Sequence, residues 1–219
     1  MIGEYQKKVL RTAHYYTLGE IHTETRYFVL ACHGYAQLAK HFIRRFDILM
    51  NDDTFILAPE GLSRFYWKGL TGEVAASWMT KEDRLDEIED YCNYLQSLYE
   101  QYIPQLPEKV RIILFGFSQG CATQCRWIME KMPHFHDLIL WAGAVPEDLD
   151  YRPKKHYFKD KNLHWVYGTE DSFLTPKRIL MHQELLKVNE LDFEIHTFEG
   201  KHEVERSVLK ELYQNMIDG

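Results

Sequence analysis

Six short apolar runs recur along the chain and alternate with longer amphipathic segments. Several of the runs are apolar at consecutive rather than alternating positions, which is typical of parallel strands buried on both faces. The pattern predicts strands over residues 27–31, 54–58, 110–115, 138–142, 163–167 and 193–198. An earlier stretch rich in Tyr and Thr, residues 12–21, predicts an antiparallel hairpin at the edge of the sheet.

The amphipathic segments between the runs predict helices. The longest, residues 80–103, carries Leu, Ile and Tyr at steps of three and four, the spacing of one helix face. Thr80 and Asp83 resemble a capping box at its start, and Thr175 followed by Pro176 is typical of an N-cap and a first helical position. We therefore predict helices over residues 37–50, 80–103, 118–132, 175–188 and 203–217.

Strands and helices alternate from one end of the chain to the other, with no linker, repeat or low-complexity tract. This alternation predicts an α/β fold, a three-layer α/β/α sandwich with a mostly parallel central sheet. We expect one domain over residues 1–219. No insertion is long enough to form a large lid domain.

Charge and cysteine content narrow the possible functions. The 219 residues include 26 Lys and Arg against 33 Asp and Glu, a formal net charge of −7. A nucleic-acid-binding protein normally shows a basic face, so we expect no nucleic-acid partner. Four cysteines are too few for a disulfide scaffold, and no apolar run approaches the ~18 residues of a membrane span. Since no apolar segment follows the polar N-terminus, we expect no signal peptide and a cytoplasmic location.

The strongest chemical signal is the sequence Gly116-Phe117-Ser118-Gln119-Gly120. It directly follows a predicted strand and directly precedes a predicted helix, which is the context of a G-x-S-x-G nucleophile elbow. The turn is so tight that side chains at the two glycines would collide with the neighbouring strand and helix. The pattern predicts Ser118 as a nucleophile at a helix N-terminus, where developing negative charge is favoured.

A nucleophilic serine needs a base, and in this architecture the triad residues follow in the order serine, acid, histidine. Three histidines lie late enough in the chain. His182 lies within a predicted helix and His196 within the last predicted strand. His202 lies in the loop after that strand, where a base must sit to reach the elbow, so we expect His202 to be the base.

The acid that orients the base is expected in the loop that follows the predicted strand 163–167. Asp171 lies deep in this loop and is the preferred acid, with Glu170 as its main competitor. Asp148 and Asp150 follow the previous strand and are weaker candidates. A carboxylate in this position would hold the imidazole in the required tautomer.

An oxyanion hole needs two backbone N–H groups. One is expected from Gln119, the residue after the nucleophile. The other is expected from Tyr35, in the loop that leaves the strand 27–31 through His33-Gly34, because glycine permits the backbone geometry required there. His33 itself is interpreted as a structural hydrogen-bonding residue.

Residues 61–79 form the longest connection without an obvious helix, and they include the large apolar side chains Phe65, Tyr66, Trp67, Trp78 and Met79. These side chains could merely cover the sheet edge. Alternatively, some of them wall an acyl pocket beside Ser118, since ligands of open α/β sheets bind at the carboxyl ends of the strands. Without a deep lid the pocket would fill early, so we expect short to medium acyl chains.

Cofactor and metal signals are weak. No glycine pattern of a dinucleotide or nucleotide site is present, so we expect no cofactor. His134 and His136 have the spacing of a metal-binding pair, but no cysteine lies near them and we interpret them as a surface loop. We expect no metal.

The His33-Gly34 pair, the GFSQG sequence of residues 116–120, Asp171 and His202 resemble the α/β-hydrolase superfamily. GFSQG after an upstream His-Gly, without a large insertion, is similar to the phospholipase/carboxylesterase family, which includes the acyl-protein thioesterases. The resemblance runs from about residue 27 to the C-terminus. It implies a Ser–His–Asp esterase with its oxyanion donors at Tyr35 and Gln119. One departure is the sequence Tyr-Ala-Gln at 35–37, where the thioesterases tend to carry a second glycine and an Asp.

The activity expected from these residues is hydrolysis of small-molecule carboxylic esters through an acyl-enzyme on Ser118. A thioesterase or a lysophospholipase is the alternative within the same chemistry. A catalytically silent protein of the same fold that binds a ligand is the alternative of another class, although such a protein has no chemical need for an intact triad. Both a monomer and a homodimer are compatible with the sequence.

Overall fold

The predicted strands are all present in the computed structural model, which describes residues 1–218. Within these residues the chain forms nine strands: β1 (Tyr15–Leu18), β2 (Tyr27–Cys32), β3 (Thr54–Pro59), β4 (Ser63–Tyr66), β5 (Val74–Ser77), β6 (Arg111–Phe117), β7 (Asp137–Trp141), β8 (Asn162–Gly168) and β9 (Phe193–Phe198). The six apolar runs correspond to β2, β3 and β6 to β9, and these six predictions are confirmed.

Seven of the strands form one sheet in the order β1-β3-β2-β6-β7-β8-β9. Every neighbouring pair is parallel except β1 with β3. The mostly parallel sheet of an α/β fold is therefore confirmed. The predicted edge hairpin is wrong in its pairing, because β1 pairs with β3 and not with β2. Both edges of β2 are taken by β3 and β6, and β1 pairs with the remaining edge of β3.

Helices connect the strands. They are α1 (Ala39–Phe42), α2 (Arg84–Tyr102), α3 (Gln119–Lys131), α4 (Lys155–Phe158), α5 (Pro176–Val188) and α6 (Arg206–Asp218), with 3-10 helices at Ile43–Leu49, Ile103–Gln105 and Arg152–Lys154. No helix within residues 1–218 has the length and apolar character that a bilayer crossing requires.

The helix predicted over residues 37–50 is only partly α-helical. After α1 the chain continues as a 3-10 helix, in which Ile43, Phe46 and Leu49 are buried. These residues are three apart, and a 3-10 helix has three residues per turn, so the tighter helix places all of them on one face. The three-residue spacing of the apolar side chains explains the difference from the prediction.

Two apolar layers lie on the two faces of the sheet. On one face, buried residues of the sheet pack with those of α2 and α3, including Leu95, Cys121 and Ile128. On the other face they pack with Phe46 of the 3-10 helix and with Leu212 of α6. The protein is thus a three-layer α/β/α sandwich, as predicted, and all four cysteines are buried and unpaired.

The two predicted helix starts have different outcomes. Thr175 caps α5 by accepting a hydrogen bond from the backbone N–H of Arg178, as expected. At α2 the capping box is not formed, because the helix begins at Arg84 after Asp83 in the left-handed conformation. Glu87 instead accepts a hydrogen bond from the Thr80 backbone N–H at 2.6 Å. A glutamate in α2 therefore accepts the hydrogen bond of a backbone N–H in the segment before the helix.

The connection predicted over residues 61–79 contains regular structure of its own. β4 and β5 form an antiparallel pair that is separate from the main sheet. An isolated bridge between Gln37 and Ala76 attaches this hairpin to the loop that follows β2. The hairpin therefore lies over that loop.

The amino ends of β6, β7 and β8 are tied together by one buried carboxylate. Asp137 is fully buried and accepts hydrogen bonds from Arg111 Nε at 2.7 Å and Nη2 at 2.8 Å. It also accepts one from Asn162 Nδ2 at 2.9 Å. Removing one partner of a buried ion pair leaves an uncompensated charge, which is strongly destabilising.

We expect Asp137→Ala to lower the free energy of unfolding by about 3–5 kcal/mol, measured by urea titration, because the Arg111 guanidinium would lose its partner. Asp150→Ala is the matched control. Asp150 pairs with Arg152 at an exposed site, where loss of an ion pair costs about 1 kcal/mol or less. Equal losses in the two variants would contradict a stabilising role for the Asp137 network.

Candidate active site

Ser118 lies in a strained turn between β6 and α3. Its backbone has φ 53° and ψ −114°, a conformation that costs an L-residue roughly 1–3 kcal/mol. The neighbouring strand holds it in place, because the Ser118 N–H donates to the Trp141 carbonyl oxygen at 2.8 Å. The Ser118 carbonyl oxygen in turn accepts the N–H of Cys121 at 3.0 Å. The strand-to-helix turn of a nucleophile elbow is thus present.

Two glycines allow the turn because backbones approach closely on both sides of it. A Cβ on Gly120 would lie 2.1 Å from the Cys32 carbonyl oxygen at the end of β2. A Cβ on Gly116 would lie 2.5 Å from the Gly120 carbonyl oxygen. These distances are far below van der Waals contact, so no side chain fits at either position. The predicted reason for the two glycines agrees with this geometry.

The Ser118 side chain, His202 and Asp171 form one hydrogen-bonded chain. Ser118 Oγ lies 2.9 Å from His202 Nε2, and His202 Nδ1 lies 2.8 Å from Asp171 Oδ2. The Asp171 side chain is fully buried, and its other oxygen accepts the Phe173 N–H at 2.8 Å. A carboxylate that accepts from Nδ1–H leaves Nε2 free to accept the serine proton. The arrangement can therefore activate the hydroxyl as a nucleophile.

The loops that carry the acid and the base are joined by backbone hydrogen bonds. The Thr169 N–H donates to the Phe198 carbonyl oxygen at 2.8 Å, and the Glu170 N–H donates to the Gly200 carbonyl oxygen at 2.9 Å. Both bonds continue the parallel pairing of β8 with β9 beyond the ends of the strands. The sheet thereby fixes the distance between Asp171 and His202.

The competing acids lie elsewhere. The Glu170 side chain is exposed, and the backbone of Glu170 makes the loop contact described above. Asp148 accepts a hydrogen bond from Arg126 at 2.8 Å, and Asp150 pairs with Arg152. The structure brings Asp171, and not these carboxylates, into contact with His202.

The competing histidines also lie away from the Ser118 hydroxyl. His182 is buried in α5 with its ring 6.2 Å from that of Trp165. His196 lies on β9, where its Nε2 is 3.1 Å from His164 Nδ1. His202 is the histidine that contacts Ser118.

The loop expected to supply the second oxyanion donor begins beside the elbow. β2 ends at Cys32, opposite Gly116 of β6, and a Cβ on Gly120 would also lie 2.9 Å from the His33 carbonyl oxygen. Tyr35 and Gln119 therefore belong to two backbone segments that meet at the start of α3. This helix start carries the positive end of the helix dipole.

His33 is a structural hydrogen-bonding residue, as interpreted from the sequence. Its Nε2 accepts the Gly61 N–H at 2.9 Å, so the proton lies on Nδ1, which donates to the Gly34 carbonyl oxygen at 2.7 Å. Burial lowers the pKa of His33 to about 4, so the ring is neutral near pH 7. The neutral ring connects the loop after β2 to the loop after β3.

Trp78 and Met79 brace the start of α3. The Gln119 side chain accepts the Trp78 backbone N–H at 3.1 Å and donates to the Met79 carbonyl oxygen at 2.9 Å. Trp78 is buried, and its indole N–H donates to the His33 carbonyl oxygen at 2.8 Å. These contacts attach the end of β5 to both segments expected to supply oxyanion donors.

The other three residues of the predicted pocket lie on the β4–β5 hairpin or at its turn. The Phe65 and Trp67 rings lie 5.5 Å and 6.0 Å from the ring of Tyr35. Tyr66 is exposed. The Phe65 and Trp67 side chains therefore lie beside the loop after β2.

A cavity of about 520 Å³ opens beside Ser118 and His202. Its wall comes from α3, the loop after β7 and the start of α5: Ala122, Arg126, Ala142, Gly143, Ala144, Val145, Pro146, Glu147, Asp148, Phe173, Leu174, Arg178 and His182. None of Phe65, Tyr66, Trp67, Trp78 and Met79 lines it. These five residues, expected from the sequence to wall an acyl pocket, therefore lie outside this cavity. The loop after β7 lines it instead, because β7 is the neighbour of β6 in the sheet and its loop emerges beside the elbow.

The cavity wall combines apolar and charged side chains. Asp148 is paired with Arg126 and Arg84, so its charge is compensated. Arg178 donates to the Phe173 carbonyl oxygen at 3.0 Å. Burial lowers the pKa of His182, which favours the neutral imidazole in the wall.

Phe173 was missed in the sequence. Its ring lies 4.5 Å from that of His202, and its side chain is largely exposed. The signal was its position two residues after Asp171, in a loop already assigned to the site. The loop at 142–148 had no such signal, because its place beside Ser118 depends on the strand order.

Among residues 1–218, one group of side chains could hold a metal ion: His164, Glu194 and His196. It lies near the amino ends of β8 and β9, at the opposite edge of the sheet from Ser118. The chemistry that the Ser118 site can carry out, proton transfer and nucleophilic attack, requires no metal ligand.

Comparison with known proteins shows the family and the fold of the chain. The sequence profile of the phospholipase/carboxylesterase family matches residues 22–217. No curated protein sequence matches the chain. Acyl-protein thioesterase 2 of Zea mays is similar in structure with a TM-score of 0.73 and 13% identity, covering 94% of this chain and 99% of that one. A Bacillus cereus carboxylesterase is similar with a TM-score of 0.62 and 14% identity, covering 93% and 94%. At these identities the structural likeness establishes the fold.

We expect Gly120→Ala to lower the free energy of unfolding by about 1–3 kcal/mol. The added methyl would overlap the carbonyl oxygens of Cys32 and His33, which belong to the backbone and cannot change rotamer. Gly200→Ala is the comparison, since the atoms nearest to its methyl would belong to the ring of Phe198, a side chain that can move. Urea titration of both variants measures the difference. A Gly120→Ala protein as stable as the wild type would contradict the close approach of α3 to β2.

Proposed function

The chain belongs to the phospholipase/carboxylesterase family, and we propose that it is a serine esterase with Ser118 as nucleophile, His202 as general base and acid, and Asp171 as the residue that orients His202. Membership makes it a hydrolase of the esterase or thioesterase type. The observation that carries the finer assignment is the continuous chain of hydrogen bonds from Ser118 through His202 to Asp171.

In the proposed reaction, Ser118 Oγ attacks the ester carbonyl carbon while its proton passes to His202 Nε2. The tetrahedral intermediate then collapses, the C–O bond to the alcohol breaks, and the alcohol takes the proton from His202. Water attacks the acyl-enzyme by the same route and releases the carboxylic acid. Asp171 stabilises the imidazolium that forms twice in each turnover.

The negative charge on the intermediate would be met by the backbone N–H groups of Tyr35 and Gln119. Two observations support this assignment. Gln119 is the first residue of α3, so its N–H points out of the helix N-terminus. The segment that contains Tyr35 lies against the same helix start. Trp78 donates a hydrogen bond to this segment at His33, and Met79 accepts one from the Gln119 side chain. Preorganised donors of this kind are worth about 2.7–4 kcal/mol each in transition-state stabilisation.

The cavity supports a substrate of modest size. Its volume of about 520 Å³ falls within the roughly 300–1,000 Å³ of small-molecule sites. Ala122, Val145 and Leu174 offer apolar surface near Ser118, and each CH₂ buried there contributes about 0.8 kcal/mol. We therefore propose carboxylic esters of short to medium acyl chains as substrates.

Three further functions are alternatives. A thioesterase is supported by the likeness to acyl-protein thioesterase 2 of Zea mays, because a thioester carbonyl would meet the same nucleophile; a lysophospholipase is the other acyl hydrolase. A catalytically silent binding protein would need neither a strained serine nor a buried Asp171. Rapid labelling of Ser118 by a fluorophosphonate probe would distinguish an active hydrolase from a catalytically silent protein. Comparing hydrolysis of ester and thioester substrates of equal acyl length would distinguish an esterase from a thioesterase.

Asp171→Asn should lower kcat on p-nitrophenyl butyrate by about 10⁴-fold, because an amide favours the wrong imidazole tautomer and does not stabilise the imidazolium. Glu170→Gln, one residue away and exposed, is the matched control and should keep nearly full activity. Steady-state kinetics of both purified variants make the comparison. Small and equal losses would mean that the orienting acid is a different residue.

Ala122→Leu should shift the preferred acyl length of p-nitrophenyl esters to shorter chains, because the larger side chain fills part of the cavity beside Ser118. Phe65→Ala, on the β4–β5 hairpin outside the cavity, should leave the profile unchanged. The measurement is kcat/KM over a series from acetate to laurate. A profile that responds to Phe65→Ala and ignores Ala122→Leu would place the acyl chain on the hairpin instead.

A further inference from the structure

The cluster of His164, Glu194 and His196 is not used by the proposed reaction. β8 and β9 are parallel, with His164 opposite Glu194 and Val166 opposite His196. Since alternate residues of a strand project from the same face, Glu194 and His196 share one face of β9, and His164 joins them from β8. The three side chains thus converge over two neighbouring strands.

Their facing atoms lie at almost equal distances. His164 Nδ1 is 3.1 Å from His196 Nε2, and Glu194 Oε2 is 3.5 Å from the first nitrogen and 3.6 Å from the second. A point about 2.0 Å from all three atoms exists, which is the length of Zn–N and Zn–O bonds in proteins. Two imidazole nitrogens and one carboxylate oxygen therefore already surround a space of metal-ion size.

We propose that His164 Nδ1, His196 Nε2 and Glu194 Oε2 bind one divalent transition-metal ion of the zinc class. Imidazole nitrogens favour Zn²⁺ and its neighbours in the first transition row over Mg²⁺ or Ca²⁺, which prefer oxygen. The Glu194 side chain is 67% exposed, so solvent reaches the cluster and can supply the remaining ligand. The site has three protein ligands and one open position.

A histidine–histidine hydrogen bond alone explains less of the geometry. It accounts for the 3.1 Å contact between the two rings, but not for the carboxylate. Glu194 Oε2 is too far from either nitrogen for a good hydrogen bond, yet it faces both.

The affinity of the site is expected to be moderate. A histidine binds a metal more tightly when its second ring nitrogen donates a hydrogen bond to a carboxylate or carbonyl. Loss of such a partner lowers the metal affinity by about 10–100-fold. His164 Nε2 is buried and has no hydrogen-bond partner among the described residues. We therefore expect weaker binding than in closed structural zinc sites.

Binding would affect the edge of the sheet. β9 is the last strand and pairs on one side with β8 alone. An ion held by residues of both strands would clamp the edge strand to its neighbour. Because the ligands come together in the folded protein, binding would stabilise the fold by mass action.

The test uses the untagged full-length protein, stripped with a chelator that is then removed. Isothermal titration with ZnCl₂ should give one site per chain, Zn²⁺ should raise the melting temperature, and Co²⁺ should give visible absorption bands of a bound ion. His196→Ala and Glu194→Gln, both at partly exposed positions, should each weaken Zn²⁺ binding at least about ten-fold. The control is a double variant with His134→Ala and His136→Ala, whose rings are also adjacent; it should bind like the wild type.

Several results would overturn the proposal: no binding by the wild type at micromolar Zn²⁺, equal affinity in the wild type and His196→Ala, or loss of binding only in the His134/His136 double variant. The proposal is independent of the proposed esterase function. Ester hydrolysis by the His196→Ala protein is expected to match the wild type, and its circular dichroism spectrum shows whether the fold is retained.

Discussion

The close approach of α3 to the ends of three strands is the constraint on which the site depends. A Cβ on Gly120 would overlap the Cys32 carbonyl oxygen of β2, and one on Gly143 would lie 2.5 Å from the Ser118 carbonyl oxygen. The helix start is therefore held against β2 on one side and against the loop after β7 on the other. This position forces Ser118 into its strained turn, with its side chain directed toward His202. It also brings the loop of Tyr35 next to the first N–H groups of the helix.

The amino ends and the carboxyl ends of the strands, called the amino edge and the carboxyl edge below, carry different groups of residues. At the amino edge, Asp137 joins β6, β7 and β8 through Arg111 and Asn162, and the His164 cluster would join β8 to β9 in the same way. At the carboxyl edge the loops carry Ser118, Asp171 and His202. Polar bonds at the first edge fix the strand register, and the register determines where the residues at the second edge emerge. A strained serine is stable only where the surrounding structure is fixed in this manner.

The fold and the contact of Ser118 with His202 and Asp171 could be predicted from the sequence because both depend on local patterns. Consecutive apolar residues indicated the buried strands, and the glycines of residues 116–120 indicated the tight turn; the parallel sheet then required the base to follow the last strand. The pairing of β1 and the wall of the cavity could not be predicted, because they depend on which strands are neighbours. The sequence of residues 61–79 does not indicate toward which part of the fold its large apolar side chains point. In the structure the hairpin places Phe65 against Tyr35.

The loop at residues 35–37 contains a strained residue that is held by the β4–β5 hairpin. Ala36 has a φ of 61°, which is in the left-handed region and costs an alanine about 1–2 kcal/mol. The cost is offset because the Ala36 N–H donates to the Ala76 carbonyl oxygen at 2.9 Å, on the β4–β5 hairpin. The Gln37 side chain accepts the Gly34 N–H at 2.8 Å, a contact that an Asp could also make. The hairpin thus holds by tertiary contact a turn that glycine would adopt without cost, and this contact positions the loop that contains Tyr35.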